Sequence, residues 1–229
     1  VYLFRREVLD KALWGDRQRK GSSHDFGKDI LPRLIKSKTR VFAYPYSGYW
    51  MDVGTLASYW QAHMDLLAPS PHLKLYNRSW IIHTRTAERP PARFPAKGKV
   101  YASMICDGCF IEEGATVESS VLSPGVIVRS GAVVRESIVL TDAEIRSGAV
   151  VERSVLDKQA RVEEHARVGW GVTDQNIRIA LVGKGSVVPS GYVVEPEAEI
   201  GTDVIQSDYP DPTIRAGQVI QTKRQPNEI

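Results

Sequence analysis

The stretch that decides the fold is IEEGATVESSVLSPGVI (111–127), which is followed by VRSGAVVRESIVLTDAE (128–144) and IRSGAVVERSVLDKQAR (145–161). Written one above another, these segments align at a period of 17 residues. Two phases of the period hold only apolar residues, and a third holds glycine. The members are Val100, Val117, Val134, Val151 and Val168, then Ile111, Val128, Ile145 and Val162, and finally Gly114, Gly131 and Gly148. Such regularity indicates an internal repeat.

Within each unit the apolar positions recur about every six residues, which is the spacing of a hexapeptide β-helix. A six-residue side spans about 20 Å, so three sides close a triangular coil that stacks on the next coil at about 4.8 Å. We expect the β-branched residues inside this prism, with Glu, Arg and Ser pointing outward, and glycine at a corner. The sequence therefore predicts a parallel β-helix over residues 100–229.

The period fails across GWGVTDQNIRIAL (169–181), and hexads resume at Val182, Val188, Val194 and Ile200. This break predicts a loop excursion from the prism. Farther on, IRAGQVI (214–220) is a candidate to cover the open end, where unpaired strand edges would otherwise be exposed.

The first half has different periods and predicts α/β structure in residues 1–67. VYLF (1–4) and RVFAYPY (40–46) are typical of strands, and LASYWQAHMDLL (56–67) has a helical period. GKDILPRLIKS (27–37) predicts a short helix with Asp29 as N-cap and Pro32 in the first turn. Residues 68–99, with five prolines, predict a linker, although LYNRSWIIHT (75–84) is apolar enough to pack on something.

Composition excludes several classes of protein. No run approaches the roughly 18 apolar residues of a membrane span, and no signal peptide is evident, so we expect a cytoplasmic protein without membrane contact. The net charge of +3 divides into +10 for residues 1–99 and −7 for residues 100–229. No basic run alternates with aromatic residues, so nucleic acid is not an expected partner. The chain begins with Val1 and is expected to be part of something longer.

Two small motifs favour structural interpretations. Cys106 and Cys109 are the only cysteines, and a zinc site would need further ligands, so we expect reduced thiols on a buried strand. His165 takes the place of the corner glycine in its coil. Some β-helix acyltransferases use a projecting histidine, but histidine also tolerates positive φ, and we favour the corner role.

GYWMDVGT (48–55) places Asp52 among apolar and aromatic residues just before a helix. From position alone, Asp52 is a helix cap, a buried acid paired with an arginine, or a ligand for Mg²⁺, which prefers hard oxygen ligands. The surrounding motifs bear on this choice.

SSHDFGKDILPRLI (22–35) and YPYSGYWMDVGTLASYWQAHMDLL (44–67) closely resemble the bacterial glucose-1-phosphate adenylyltransferases, as do LYNRSWIIHT, ICDGC (105–109) and SSVLSPGV (119–126). The resemblance implies an enzyme that joins ATP and glucose 1-phosphate into ADP-glucose and pyrophosphate for glycogen synthesis. It also implies a nucleotidyltransferase α/β domain (1–67), a linker (68–99) and a left-handed β-helix (100–229), in an allosteric homotetramer.

Carried over residue by residue, the resemblance implies that Tyr2, Asp25 and Phe26 contact the sugar phosphate. It implies that Trp50 lines the same pocket and that Asp52 helps to hold Mg²⁺. These roles are chemically reasonable, because a carboxylate accepts hydrogen bonds from sugar hydroxyls strongly and Mg²⁺ neutralises charge during phosphoryl transfer.

The family's phosphate loop, G-G-x-G-x-R-L, is missing from this sequence, as are its second metal-binding aspartate and its Glu-Lys pair. The chain resembles roughly the C-terminal half, contains no catalytic residue of its own, and is expected to be inactive alone. Two other hypotheses are a non-catalytic assembly subunit and a hexapeptide acyltransferase. The second leaves HDFGKD and WMDVGT without a role.

Overall fold

The strands between Lys99 and Ile220 form three parallel sheets, and strands along the chain enter sheets 1, 2 and 3 in turn until the last coil, which skips sheet 3. The computed structural model describes residues 1–84, 87–170 and 178–225. Sheet 1 contains β1 (Lys99–Tyr101), β4 (Thr116–Glu118), β7 (Val133–Arg135), β10 (Val150–Glu152), β13 (Arg167–Val168), β16 (Val193–Val194) and β18 (Thr213–Ile214). Sheet 2 contains β2 (Met104–Ile105), β5 (Val121–Leu122), β8 (Ile138–Val139), β11 (Ser154–Leu156), β14 (Ala180–Val182), β17 (Glu199–Ile200) and β19 (Val219–Ile220). Sheet 3 contains β3 (Phe110–Ile111), β6 (Ile127–Val128), β9 (Glu144–Ile145), β12 (Arg161–Val162) and β15 (Val187–Val188).

The 17-residue period sets the register of the sheets. Val117 pairs with Val134 and Val128 pairs with Ile145, so each apolar residue of the repeat lies beside its equivalent in the next coil. These side chains point into the prism, and all the apolar repeat positions from Ile111 onward are buried. The predicted left-handed parallel β-helix of hexapeptide repeats is confirmed.

The register survives the break in the repeat. Leu156 pairs with Val182, Val162 with Val188, and Val168 with Val194, each across 26 residues instead of 17. The coil that contains the break is therefore nine residues longer than the 17-residue coils before it, as an excursion requires. Residues 171–177 of the predicted excursion lie outside the described residues.

The corners of the prism use positive φ angles in columns. Gly114, Gly131 and Gly148 form one column, and His165 continues it with φ 59°. The predicted corner role of His165 is thus confirmed. Another column contains no glycine and consists of Ala102, Ser119, Glu136 and Arg153, with φ between 39° and 48°.

A ladder of serines stabilises the column that lacks glycine. Ser103, Ser120, Ser137 and Ser154 follow its members directly. The hydroxyl of Ser137 accepts a hydrogen bond from the backbone N–H of Ser154 at 3.2 Å and donates one to the carbonyl of Arg135 at 2.6 Å. Ser120, Ser137 and Ser154 are fully buried, so the prediction that serine points outward is wrong for this column. The corner needs a side chain that both donates and accepts, and serine is the smallest that does.

Replacing Ser137 by alanine should lower the free energy of unfolding by about 1–3 kcal/mol, because the buried N–H of Ser154 loses its acceptor. Urea denaturation followed by circular dichroism measures this. Ser147→Ala is the matched control, since Ser147 is partly exposed, and we expect a change within about 0.5 kcal/mol. Equal losses in the two variants would contradict the role of the ladder.

Further segments of the chain extend the prism at both ends. At the first coil, the N–H of Arg93 donates to the carbonyl of Cys109 at 2.8 Å, and its carbonyl accepts from Ile111 at 3.0 Å. Residues 90–98 thus add part of a coil before the first complete one. Pro90, Pro91 and Pro95 have no backbone N–H, so this edge of the prism offers fewer donors to another strand. At the other end, segment 214–220 does not cover the prism as predicted, because it supplies the outermost described strands of sheets 1 and 2 and so forms the edge itself.

Helix α3 (Leu56–Leu66) packs on the outer face of sheet 2. Alternation is lost there, because Ile138 and Val155 are apolar, point outward and are nevertheless buried. Trp60 of α3 packs against them and is only 9% exposed, and its indole N–H donates to the carbonyl of Glu136 at 2.6 Å. The predicted helix is confirmed, and it belongs to the same compact unit as the prism.

The chain forms two compact units, Val1–Gly48 and Tyr49–Ile229. The domain boundaries expected after residues 67 and 99 stay predictions. The first unit holds α1 (Arg6–Arg17), a π-helical turn (Phe26–Ile30) and α2 (Leu31–Lys36), which continues the turn. Pro32 is the second residue of α2, but the continuous helical run begins at Phe26, so Pro32 does not lie in its first turn as predicted. Because proline has no N–H to donate, the wider turn just before it costs the helix little.

Several sequence predictions are wrong. Residues 1–4 and 40–46 form no strands, because nothing in the described part of their unit pairs with them, and Leu3, Phe42 and Tyr44 are highly exposed. The apolar stretch 75–84 does not pack either, since Trp80 and Ile81 are exposed. Cys109 is buried but lies in the turn between β2 and β3, where its thiol contacts the carbonyl of Ser123 at 3.1 Å.

Candidate functional site

The first unit brings aromatic rings together beside its helical turn. The ring of Tyr2 stacks on that of Phe26 with centroids 5.6 Å apart, and Phe4 lies 5.8 Å from the same ring. Tyr2 remains 55% exposed. Two of the predicted sugar-phosphate contacts are therefore neighbours, and they present a partly exposed apolar surface next to Asp25.

Asp25 caps the helical turn, so the prediction that Asp29 is the N-cap is wrong. The Oδ1 atom of Asp25 accepts from the backbone N–H of Lys28 at 2.7 Å. Asp29 instead reaches back, and its carboxylate accepts from the N–H of Asp25 at 3.2 Å and from the hydroxyl of Ser23. The N-cap, Asp25, therefore lies four residues before the predicted one, Asp29. As a result, the carboxylates of both residues lie at the N-terminal end of the helical turn.

These hydrogen bonds limit which ligands the N-terminal end of the helical turn can bind. Among the described residues no donor contacts Oδ2 of Asp25, which leaves that atom available to a hydroxyl group. The negative charges of Asp25 and Asp29 occupy the helix N-terminus, where an anion would otherwise be stabilised. The arrangement therefore favours a neutral hydroxyl group over an anion at this position.

A buried carboxylate, which the sequence analysis missed, holds the loop that leads to Asp25. Asp16 is 2% exposed and lies on the buried face of α1. Its oxygens are 3.0 Å from the hydroxyl of Ser22, 2.8 Å from Nδ1 of His24 and 2.9 Å from Nη1 of Arg33. One feature of the sequence could have indicated this role. Asp16 lies four residues after Ala12, on the apolar face of an amphipathic helix, and an acid buried there requires hydrogen-bond or ion-pair partners.

The hydrogen bond from His24, together with those from Ser22 and Arg33, lowers the pKa of Asp16 below its ordinary value of 3.8. A carboxyl whose pKa is lowered on folding stabilises the native state above its unfolded pKa. That stability is lost as the pH falls through the lowered value. The nearby charged or titratable groups are His24 and Arg33, with Asp29 farther away.

We therefore expect acid to weaken the first unit through Asp16. Thermal melts of the wild type and of Asp16→Asn, recorded between pH 7 and pH 3, measure this. The variant should be less stable at pH 7, and its melting temperature should fall less below about pH 4, because it lacks the titrating group. Parallel curves for the two proteins would contradict the prediction.

The second unit carries Trp50 and Asp52 ahead of α3. Both side chains are exposed, Trp50 by 66%. Thr55 caps α3, because its hydroxyl accepts from the N–H of Ser58 at 3.1 Å, and Ser58 bonds back to Thr55. Two of the three interpretations of Asp52 are thus wrong: it does not cap the helix, and it is not a buried acid paired with an arginine.

The interpretation of Asp52 as a ligand for Mg²⁺ stays a prediction. In the described part of the chain its carboxylate has no hydrogen bond or ion pair, so both oxygens are available to a cation. No cluster of three or more His, Cys, Asp or Glu side chains with metal-binding geometry occurs in residues 1–84, 87–170 or 178–225. A single carboxylate fits Mg²⁺, which usually takes one or two carboxylates together with substrate phosphates.

The remaining candidates show no catalytic arrangement. His165 is exposed, and its ring covers the position where Gly148 would carry a Cβ. The cysteines are free thiols, and burial raises the pKa of both, which disfavours the reactive thiolate.

No helix of the described ranges has the length and apolar character to cross a membrane.

Two segments of the chain match known protein families. Residues 1–68 match the nucleotidyl transferase family, which confirms the predicted class of this segment, and residues 90–189 match the family of GlmU-like C-terminal hexapeptide domains. The glucose-1-phosphate adenylyltransferase of Thermomicrobium roseum is 44% identical over 229 residues, or 96% of this chain and 53% of the relative. That of Pseudothermotoga lettingae is 38% identical over 231 residues, or 97% of this chain and 54% of the relative. That of Geobacillus stearothermophilus is 43% identical over 120 residues, or 52% of this chain and 30% of the relative.

The chain thus spans about half the length of the curated relatives that it matches from end to end. The resemblance inferred from HDFGKD, WMDVGT and the 17-residue repeat is confirmed. Over nearly its whole length, the chain is homologous to the C-terminal half of the bacterial glucose-1-phosphate adenylyltransferases.

Proposed function

We propose that this chain provides the sugar-phosphate side of a glucose-1-phosphate adenylyltransferase, which makes ADP-glucose and pyrophosphate from ATP and glucose 1-phosphate. The observation that carries the proposal is the 44% identity with such an enzyme across 96% of the chain. The geometry supports it, since Asp25 has an oxygen available to a hydroxyl group and Tyr2 stacks on Phe26 beside it.

In this proposal each residue has a physical role. Asp25 accepts a hydrogen bond from a sugar hydroxyl, while Tyr2 and Phe26 pack against the ring of the sugar. Trp50 offers an apolar wall, and Asp52 would hold Mg²⁺. The ion would neutralise negative charge on the phosphates when bound, which is its usual contribution to phosphoryl transfer.

The proposal extends to the whole assembly. The β-helix would associate copies into a homotetramer under allosteric control, and the ADP-glucose would serve glycogen synthesis. Sedimentation velocity of the purified protein tests the assembly, and a tetramer is the expected result.

The test of the activity uses the full-length product of the reading frame that encodes residues 1–229. We expect an in-frame G-G-x-G-x-R-L motif upstream of Val1, and Mg²⁺-dependent release of pyrophosphate from ATP plus glucose 1-phosphate. A start codon immediately before Val1 with an inactive product would favour the assembly subunit instead. Activity with UTP but not ATP would overturn the nucleotide assignment, and acetyl-CoA binding that is lost in His165→Ala would support an acyltransferase.

A further inference from the structure

The segment from Tyr49 to Thr55, which carries Trp50 and Asp52, is held at both ends by the same helix. Thr55 is the N-cap of α3. At the other end, the hydroxyl of Tyr49 donates to Oδ2 of Asp65, in the last turn of α3, at 2.9 Å. Asp65 is fixed in turn by the side-chain amide of Gln61 at 2.7 Å.

These two attachments make the Tyr49–Thr55 segment run back along the helix. Thr55 and Asp65 are ten residues apart, or about 15 Å along the axis of α3. Six residues can span up to about 21 Å, so the segment is long enough to run back along the helix from Thr55 toward Asp65. Tyr49 and Met51 are partly buried, whereas Trp50 and Asp52 are exposed. Over these four residues the alternation is that of an extended chain, which places Trp50 and Asp52 on the same side, and it ends at Val53, which is exposed.

The attachment of Tyr49 is well supported by its surroundings. Its ring lies parallel to that of His72, with centroids 6.2 Å apart, so the ring is held independently of the hydroxyl. The hydrogen bond to Asp65 raises the pKa of Tyr49, which keeps the hydroxyl protonated as a donor. Helix α3 is itself anchored to the prism through Trp60.

We propose that Tyr49, through its hydrogen bond to Asp65, is a positioning residue that presents Trp50 and Asp52 together to the sugar phosphate and its cation. This inference rests on the proposed function. Without the hydrogen bond, the Tyr49 end of the segment would no longer be fixed to α3, and binding would have to order it. The cost falls on binding and not on the chemistry after binding.

The test measures the Mg²⁺ dependence of ADP-glucose synthesis by the full-length protein. Tyr49→Phe keeps the ring and removes the hydroxyl. We expect the Mg²⁺ concentration for half-maximal activity and the KM for glucose 1-phosphate to rise about tenfold, while kcat at saturation changes less than threefold. Tyr76→Phe is the matched control, since Tyr76 is exposed and has no hydrogen bond within the described residues.

A double-mutant cycle identifies the partner of Tyr49. Asp65→Ala should raise the same two constants as Tyr49→Phe does, and the combined variant should be no worse than either, because both remove one interaction. Asp65→Asn keeps an oxygen acceptor and should recover most of the affinity. Additive effects, or a fall in kcat with unchanged midpoints, would overturn the positioning role.

A second measurement does not depend on activity. The ¹⁵N heteronuclear NOE of residues 50–54 should fall in Tyr49→Phe and remain unchanged in Tyr76→Phe. Equal values in the two variants would overturn the inference. If the NOE changes but the wild-type protein makes no ADP-glucose, the attachment stands and the proposed function fails.

Discussion

Replacing Trp60 by alanine should lower the free energy of unfolding of the second unit by about 3–5 kcal/mol, the largest loss of stability that we expect from a single change outside the prism. Trp60 fills the contact between α3 and the outer face of sheet 2, against Ile138 and Val155. Its loss leaves a cavity over these residues and removes the hydrogen bond to the carbonyl of Glu136. Urea denaturation followed by far-ultraviolet circular dichroism measures the change.

Two further variants separate the components of this contact. Trp60→Phe retains apolar packing but not the indole N–H, so we expect an intermediate loss of about 1–3 kcal/mol. Trp80→Ala is the control, because Trp80 is 79% exposed, and its loss should remain within about 0.5 kcal/mol. If Trp60→Ala and Trp80→Ala were equally stable, α3 would contribute nothing by packing on the prism.

The largest expected effect on activity is that of Asp52→Asn. If Asp52 holds the cation, the neutral amide binds Mg²⁺ more weakly and neutralises less of the charge that develops on the phosphates. A loss of several kcal/mol of transition-state stabilisation corresponds to a fall in kcat/KM of about 10²- to 10³-fold. Steady-state assays of the full-length protein at several Mg²⁺ concentrations measure it, with circular dichroism to confirm the fold.

The control for Asp52 is Asp107→Asn, which alters an acid in the turn between β2 and β3 of the prism. We expect no change in its Mg²⁺ dependence. Full activity of Asp52→Asn would show that this carboxylate is not a metal ligand, even if ADP-glucose is the product.

The prism could be predicted from the sequence because its core is periodic. Val117, Val134 and Val151 recur at one phase and pair directly in the structure. Residues that are 17 positions apart in the sequence are therefore neighbours in space. The excursion did not obscure this relation, since the hexads at Val182 and Val188 continue the register of Leu156 and Val162.

The contact between α3 and the prism could not be located from the sequence. In sheet 1 the strands VVR and VVE carry two adjacent valines, and the outer ones, Val133 and Val150, are only partly buried. In sheet 2 the pairs Ile138–Val139 and Val155–Leu156 have the same apolar pattern, but there both residues of each pair are buried. Apolar residues on both faces of a strand are typical of a covered sheet, but here they do not distinguish the covered sheet from the uncovered one.

The arrangement around the candidate site was less predictable, because it depends on contacts between distant residues. Nothing in the spacing of Asp16, His24 and Arg33 indicates that their side chains meet. The strands expected at VYLF and RVFAYPY followed from local composition, whereas a strand exists only where another strand accepts its hydrogen bonds. The assignments of Tyr2, Trp50 and Asp52 came from resemblance and remain to be tested.

The survival of the register across the excursion has a consequence for the dimensions of the molecule. Each turn of the prism is hydrogen-bonded only to the turns on either side, and the inserted residues leave that ladder intact. Sheet 1, with its seven strands, measures about 29 Å from the first strand to the last at about 4.8 Å per step. The length of the prism therefore depends on the number of its turns and not on the number of residues in each turn, since turns of 17, 20 and 26 residues all add one strand to sheet 1.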